Sequence, residues 1–194
     1  MSPSRYEQPA FYLQSGDPEN ENVPALAYPG QLGIRFTIVS PLRGAPGTAS
    51  GTAGRSKRYQ IVKTDSTMTV APYPGAVAFW GDKSQYVVTT TNPTSAYGRN
   101  RVAGKFSNAI TPGNIGCVQF EGPGAVKLAD NVTQANVLAG AYVIADPGGV
   151  NGKANVTATG TAPVTTPLGT VSSPLAFNTA DLTVIVDLNV PETT

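Results

Sequence analysis

Leu182, Val184, Val186, Leu188 and Val190 alternate with Thr183, Ile185, Asp187 and Asn189. A period of two sustained this long is the signature of a strand that buries one face. Shorter runs of the same kind recur along the chain. Ile34, Phe36 and Ile38 share one face, and residues 59–63, 67–70, 77–80 and 86–91 follow. Residues 101–106, 115–120, 125–128, 141–144, 153–159 and 168–171 continue the series. Only residues 130–138 have the makings of a short helix or turn. The punctuation is dense: 21 Gly and 17 Pro, with no collagen-like period. A hydrophobic content of 40% is too high for a disordered chain. The expected fold is therefore all-β, a β-barrel or jelly-roll-like β-sandwich built of short antiparallel hairpins. Gly81-Asp82-Lys83-Ser84 and the run from Asp146 to Gly152 carry the chemistry of hairpin turns.

Residues 1–30 read as an extended N-terminal arm and residues 31–194 as one β domain. The arm holds Pro3, Pro9, Pro18 and Pro24 and the polar stretch Gly16-Asp17-Pro18-Glu19-Asn20-Glu21-Asn22. It also holds Tyr6, Phe11, Tyr12 and Tyr28, more large apolar groups than a solvated tail carries. Those groups suit an arm that docks along its own body or a neighbour.

Two segments look alike at an offset of about 65 residues, the size of a supersecondary repeat. Gly75-Ala76-Val77-Ala78-Phe79-Trp80 matches Gly140-Ala141-Tyr142-Val143-Ile144-Ala145 in pattern. Each is followed by a Gly/Asp turn, a Val/Thr-rich run, a short run around Gly104 or Gly169, and a final strand.

The chain contains no histidine. Ser-His-Asp and Cys-His catalysis is therefore excluded, as are His-based zinc and iron sites. The twelve carboxylates are scattered, and no close acidic pair occurs outside the arm. Asp146 with Asn151 lacks the alternating oxygen ligands and terminal Glu of a calcium loop. There is no Gly-x-x-x-x-Gly-Lys-Ser/Thr phosphate loop. No catalytic residue, metal, cofactor or small-molecule substrate is expected. Cys117, the lone cysteine, sits in an apolar run and reads as a buried structural thiol. The polar start is unlike a signal peptide, and no run approaches the roughly 20 apolar residues of a membrane span. Synthesis in a reducing cytoplasm, without membrane contact, is expected.

Charged residues make up 13% of the chain, against roughly 25% in ordinary domains. The net charge is +1, but its distribution is uneven. Arg35, Arg43, Arg55, Lys57, Arg58 and Lys63 are interrupted by no acidic residue, whereas the chain beyond Phe106 is acidic. Residues 43–58, rich in small residues, read as a flexible loop carrying most of that basic cluster. A solvated loop is the simplest reading, docking onto an acidic protein patch the next. Nucleic acid is the weakest, because no aromatic platforms interleave with the basic residues.

From about Tyr59 onward the chain resembles bacteriophage capsid decoration (cement) proteins. The resemblance rests on Pro74-Gly75-Ala76-Val77-Ala78-Phe79-Trp80-Gly81-Asp82, Val87-Val88-Thr89-Thr90-Thr91 and Arg101-Val102-Ala103-Gly104-Lys105-Phe106. Ala139-Gly140-Ala141-Tyr142-Val143-Ile144-Ala145-Asp146 and Leu168-Gly169-Thr170-Val171 repeat the cadence. The resemblance implies a virion protein on the outside of an icosahedral head, made in the host cytoplasm. It would form a homotrimer, bind the major capsid protein and have no catalytic residues. Docking would then fall to Tyr6, Phe11, Tyr12 and Tyr28 in the arm and to Arg55, Lys57 and Arg58 in the basic loop. A tail, fibre or host-binding module of the same virion is the alternative, and a carboxylate-based hydrolase a distant third.

Overall fold

The computed structural model describes residues 29–39, 56–93, 101–146, 149–158, 160–172 and 182–190. Ten strands run in chain order: β1 (Arg35–Val39), β2 (Ser56–Thr64), β3 (Val77–Asp82), β4 (Val87–Thr89), β5 (Val102–Phe106), β6 (Ile115–Lys127), β7 (Tyr142–Ala145), β8 (Ala154–Val156), β9 (Gly169–Val171) and β10 (Thr183–Asn189). Two short 3-10 turns, Pro29–Gln31 and Gln134–Asn136, are the only helical elements among the described residues. The fold is all-β, as the alternation requires.

Five strands close a barrel in the order β2-β4-β3-β5-β6, with β6 returning to β2. Four of its ladders are antiparallel. The fifth, β2 with β4, is parallel, pairing Lys63 with Val87 and Thr64 with Val88. β1 lies outside the ring, antiparallel on the first half of β2.

The second half of β6 opens another ring of the same design. Its order is β6-β10-β9-β7-β8, all antiparallel. A parallel bridge from Leu128 to Ala154 closes it, where β2 meets β4 in the first ring. The registers correspond residue by residue. Val62 faces Gly116 as Val126 faces Val184. Ala78 faces Gly104 as Val143 faces Gly169, and Trp80 faces Val88 as Ala145 faces Ala154. Isolated hydrogen bonds repeat too. Gly75 N–H donates to Phe106 O (2.8 Å) as Gly140 N–H does to Val171 O (3.0 Å). Asp65 N–H donates to Val88 O (2.8 Å) as Ala129 N–H does to Ala154 O (2.8 Å). The repeat seen in the sequence is thus a duplicated barrel, and β6 serves as the last strand of one copy and the first of the next.

The two interiors are filled by equivalent positions with exchanged volumes. The first ring packs Val62, Ala78, Trp80, Val88, Ala103, Phe106 and Val118. Their counterparts are Val126, Val143, Ala145, Ala154, Leu168, Val171 and Val186. Where Trp80 fills the first ring, Ala145 leaves room for residues such as Leu128, Val132 and Val137. Native packing density constrains summed volume more tightly than individual side chains. Outside the first ring, Tyr59, Ile61, Ile115 and Cys117 are covered by Leu32, Ile34 and Phe36. The Phe36 and Tyr59 rings stack at 5.5 Å.

Three expectations need correction. Residues 115–120 and 125–128 are one continuous strand, because Gly122 and Gly124 relieve contacts rather than break the chain. A Cβ at Gly122, where φ is 86°, would collide with the Ser56 carbonyl oxygen. Residues 67–70 form no strand, since Asp65 Oδ1 accepts from both Thr67 N–H (2.8 Å) and Thr67 Oγ1 (2.8 Å) and turns the chain. The short turn expected within residues 130–138 is present as the 3-10 turn Gln134–Asn136. Lys57 and Arg58 do not sit in a flexible loop: β1 pairs with β2 and draws both into a ladder opposite Ile38 and Thr37.

Candidate docking surface along the shared strand

Five of the anticipated docking residues, Tyr6, Phe11, Tyr12, Tyr28 and Arg55, lie outside the described residues. The other two, Lys57 and Arg58, are neighbours with different surroundings. Arg58 sits opposite Glu121 in the β2–β6 ladder, and its Nη1 donates to Glu121 Oε2 at 2.7 Å. Its guanidinium lies 5.3 Å from the Phe120 ring centroid, and that of Arg35 lies 5.0 Å away. Glu121 also pairs with Asn189 of β10, so Arg58 braces the point where β6 passes from one ring to the other. Its charge is engaged within the fold.

Lys57 instead lines a cleft of about 610 Å³. The floor is formed by β6 and β10 at Gly124, Ala125, Thr183 and Ile185. The first ring supplies Lys57, Tyr73, Lys105 and Ser107, and β6 adds Lys127. Three lysines therefore line one opening, and no carboxylate among the described residues lines it. Lys105 is 6% exposed and its Nζ donates to Ser107 Oγ at 2.9 Å. Gly124 is what permits this crossing: a Cβ there would stand 2.8 Å from Gln119 Oε1 and 2.9 Å from Lys105 Cε. Gln119 is fully buried and its Nε2 donates to Pro123 O at 3.0 Å. Its Oε1, turned toward Gly124, has no hydrogen-bond donor among the described residues. Tyr73 Oη donates to Asn151 O at 3.4 Å. Burial raises the Tyr73 pKa above its ordinary value, and the charge of Asp130 raises it further.

A second cleft of about 550 Å³ adjoins the first at Pro123. Ser56, Glu121, Asp187 and Asn189 line it, so its two charged groups are both acidic. The shared strand thus carries a cationic and an acidic opening side by side. Lys105, Lys127 and Tyr73 were not among the anticipated docking residues. Lys105 offered one signal, a lysine inside the otherwise apolar run 102–106, every residue of which is buried.

No cluster of three or more His, Cys, Asp or Glu side chains forms among the described residues. Asp146 is buried and spends its groups on its own turn, accepting from Val150 N–H at 3.4 Å and Asn155 Nδ2 at 3.5 Å. Cys117 is a buried free thiol. The class that the fold defines is an all-β protein with one closed five-stranded barrel and further strands outside it, which share β6 with the barrel and meet through a single bridge. No family profile, curated protein or solved structure matches the chain.

Proposed function

We propose that this protein is a structural component of a virion: a capsid decoration (cement) protein that binds the outside of an icosahedral phage head. It stabilises contacts between neighbouring major capsid subunits. The observation that carries this reading is the lysine-lined cleft along β6, a docking feature held by a rigid frame rather than by a loop. The cadence shared with decoration proteins falls on equivalent strands of the two rings, β3 to β5 and β7 to β9. A low charge content suits surfaces destined for burial against a neighbour. Assembly as a homotrimer belongs to the proposal, because three linked contacts convert weak single contacts into a tight clamp.

The test is co-sedimentation of the purified protein with undecorated phage heads, counting bound copies. Saturation in proportion to the head's three-fold positions supports the reading. Absence of binding overturns it and favours a tail, fibre or host-binding component.

A further inference from the structure

Asn151-Gly152 is the one Asn-Gly pair in the chain. Glycine suits the position because its φ is 72°, in the left-handed region that other residues enter only at a cost. The same missing side chain leaves the Gly152 nitrogen unshielded toward the Asn151 amide. That is the arrangement in which asparagine loses ammonia most readily.

The β7–β8 hairpin carries this pair across to the first ring. Gly152 N–H donates to Thr90 O at 2.8 Å, and Val77 N–H donates to Gly152 O at 2.8 Å. Asn92 N–H donates to Asn151 Oδ1 at 2.9 Å, and Asn151 Nδ2 donates to Thr69 Oγ1 at 3.1 Å. These bonds seat the turn against the start of β3, the residues just past β4, and Thr69. They form a contact between the rings that is separate from the shared strand. They also hold both reacting groups. The Gly152 N–H is committed to Thr90, and the Asn151 amide is fixed through its oxygen and its nitrogen.

We propose that Asn151 is a deamidation site gated by this latch, closed while the hairpin is seated on the first ring and open once it lifts. A turn can lift by local opening while the rest of the fold persists. In the lifted state the Gly152 nitrogen gives up its proton to water and bonds to the Asn151 side-chain carbonyl carbon. The Cγ–Nδ2 bond breaks, and Nδ2 takes up a proton and leaves as ammonia. Water then opens the cyclic imide at either carbonyl, giving aspartate or isoaspartate. One water is consumed and one ammonia released, with no oxidant or cofactor. The isoaspartate form adds a methylene to the backbone between the two residues that meet Asn92 and Thr90. Gly152 is buried and has no slack for it: a Cβ there would lie 3.0 Å from Tyr73 Oη and 3.2 Å from Ala76 Cβ. Conversion to isoaspartate therefore keeps the latch from closing again.

Ageing of the full chain at mildly alkaline pH, with residue 151 followed by peptide mass spectrometry, tests the site and its gate. The urea-unfolded chain should convert, and the native chain should convert many-fold more slowly. Thr69→Ala, at an exposed position, should speed the native reaction several-fold and leave the unfolded rate unchanged. Chain converted in urea, refolded and enriched for isoaspartate should lose hydrogen-exchange protection at Val77 and keep it in the β6–β10 ladder. No conversion in urea overturns the site. Equal native and unfolded rates, or an unchanged native rate in Thr69→Ala, overturn the gate. Restored protection at Val77, or loss of the β6–β10 ladder along with it, overturns the latch as a local device.

Discussion

Gly104 and Gly169 occupy the same place in the two rings. Each lies so close to the next strand that a Cβ would collide with a carbonyl oxygen, that of Gln119 for Gly104 and that of Asp187 for Gly169. Both glycines belong to the strand that passes between the two halves of its ring, β5 in one and β9 in the other. The close approach is therefore a property of the barrel design, held in both copies while the side chains around it changed.

Alanine at either glycine should cost about 2–4 kcal/mol, through displacement of the adjacent strand. Gly140 is a useful comparison, because its φ is 78° but nothing lies within 4 Å of its Cβ position. Gly140→Ala should cost only about 1 kcal/mol, the strain of left-handed backbone. Urea midpoints of the three variants check this, and equal losses would contradict it.

Trp80 and Ala145 are equivalent positions with opposite demands. Trp80→Ala should cost about 3–5 kcal/mol by opening a cavity in the first ring. Ala145→Leu should cost about 1–3 kcal/mol by overfilling the second, where Ala145 is fully buried. Denaturant unfolding of both variants decides whether the rings are filled independently.

Arg58 and Glu121 are each over 40% exposed, so their ion pair is screened by solvent. Arg58→Ala should change stability by no more than about 1 kcal/mol. Under the proposed function, a Lys57→Ala/Lys127→Ala double variant should weaken binding to undecorated heads more than Arg58→Ala does, and raised salt should narrow the gap. Binding isotherms at two ionic strengths provide the comparison.

Asp82 holds its turn by accepting from Ser84 Oγ (2.6 Å) and Ser84 N–H (2.9 Å). The Ser84 side-chain bond is the main cause lowering its carboxyl pKa below the ordinary value. A carboxyl lowered by folding adds stability above its unfolded pKa of about 4, and that increment is lost as acid titrates the folded form. Asp82→Asn should therefore flatten the pH dependence of stability below about pH 4 and leave its slope at neutral pH unchanged. Urea midpoints across that range read the difference.

Cys117 is 2% exposed beneath Leu32, Ile34 and Phe36. A thiol reagent should leave the native protein unmodified and react with one equivalent in denaturant. Fast native labelling would show that the β1 segment does not stay in place.

Most strands were legible because alternation survives substitution: Val184, Val186, Leu188 and Val190 could face only inward. The duplication was visible at Gly75 and Gly140 and at Gly104 and Gly169, where backbone geometry leaves little choice of residue. It was faint elsewhere because the interiors exchange volumes, Trp80 for Ala145 and Ala103 for Leu168. The continuity of β6 was hidden, since Gly122-Pro123-Gly124 has the composition of a turn while serving close packing between strands. The cleft was hidden for a different reason: Lys57, Lys105 and Lys127 lie on three strands, and only the pairing of β6 with its neighbours gathers them.

A duplicated domain ordinarily gains a hinge where its copies join. Here the joint is a stave common to both barrels, and Glu121 belongs to ladders on either side of it. No linker exists there to bend or cut. Tension applied to one ring passes straight into the hydrogen bonds of the other, so the pair resists shear as one girder and should give way in one step.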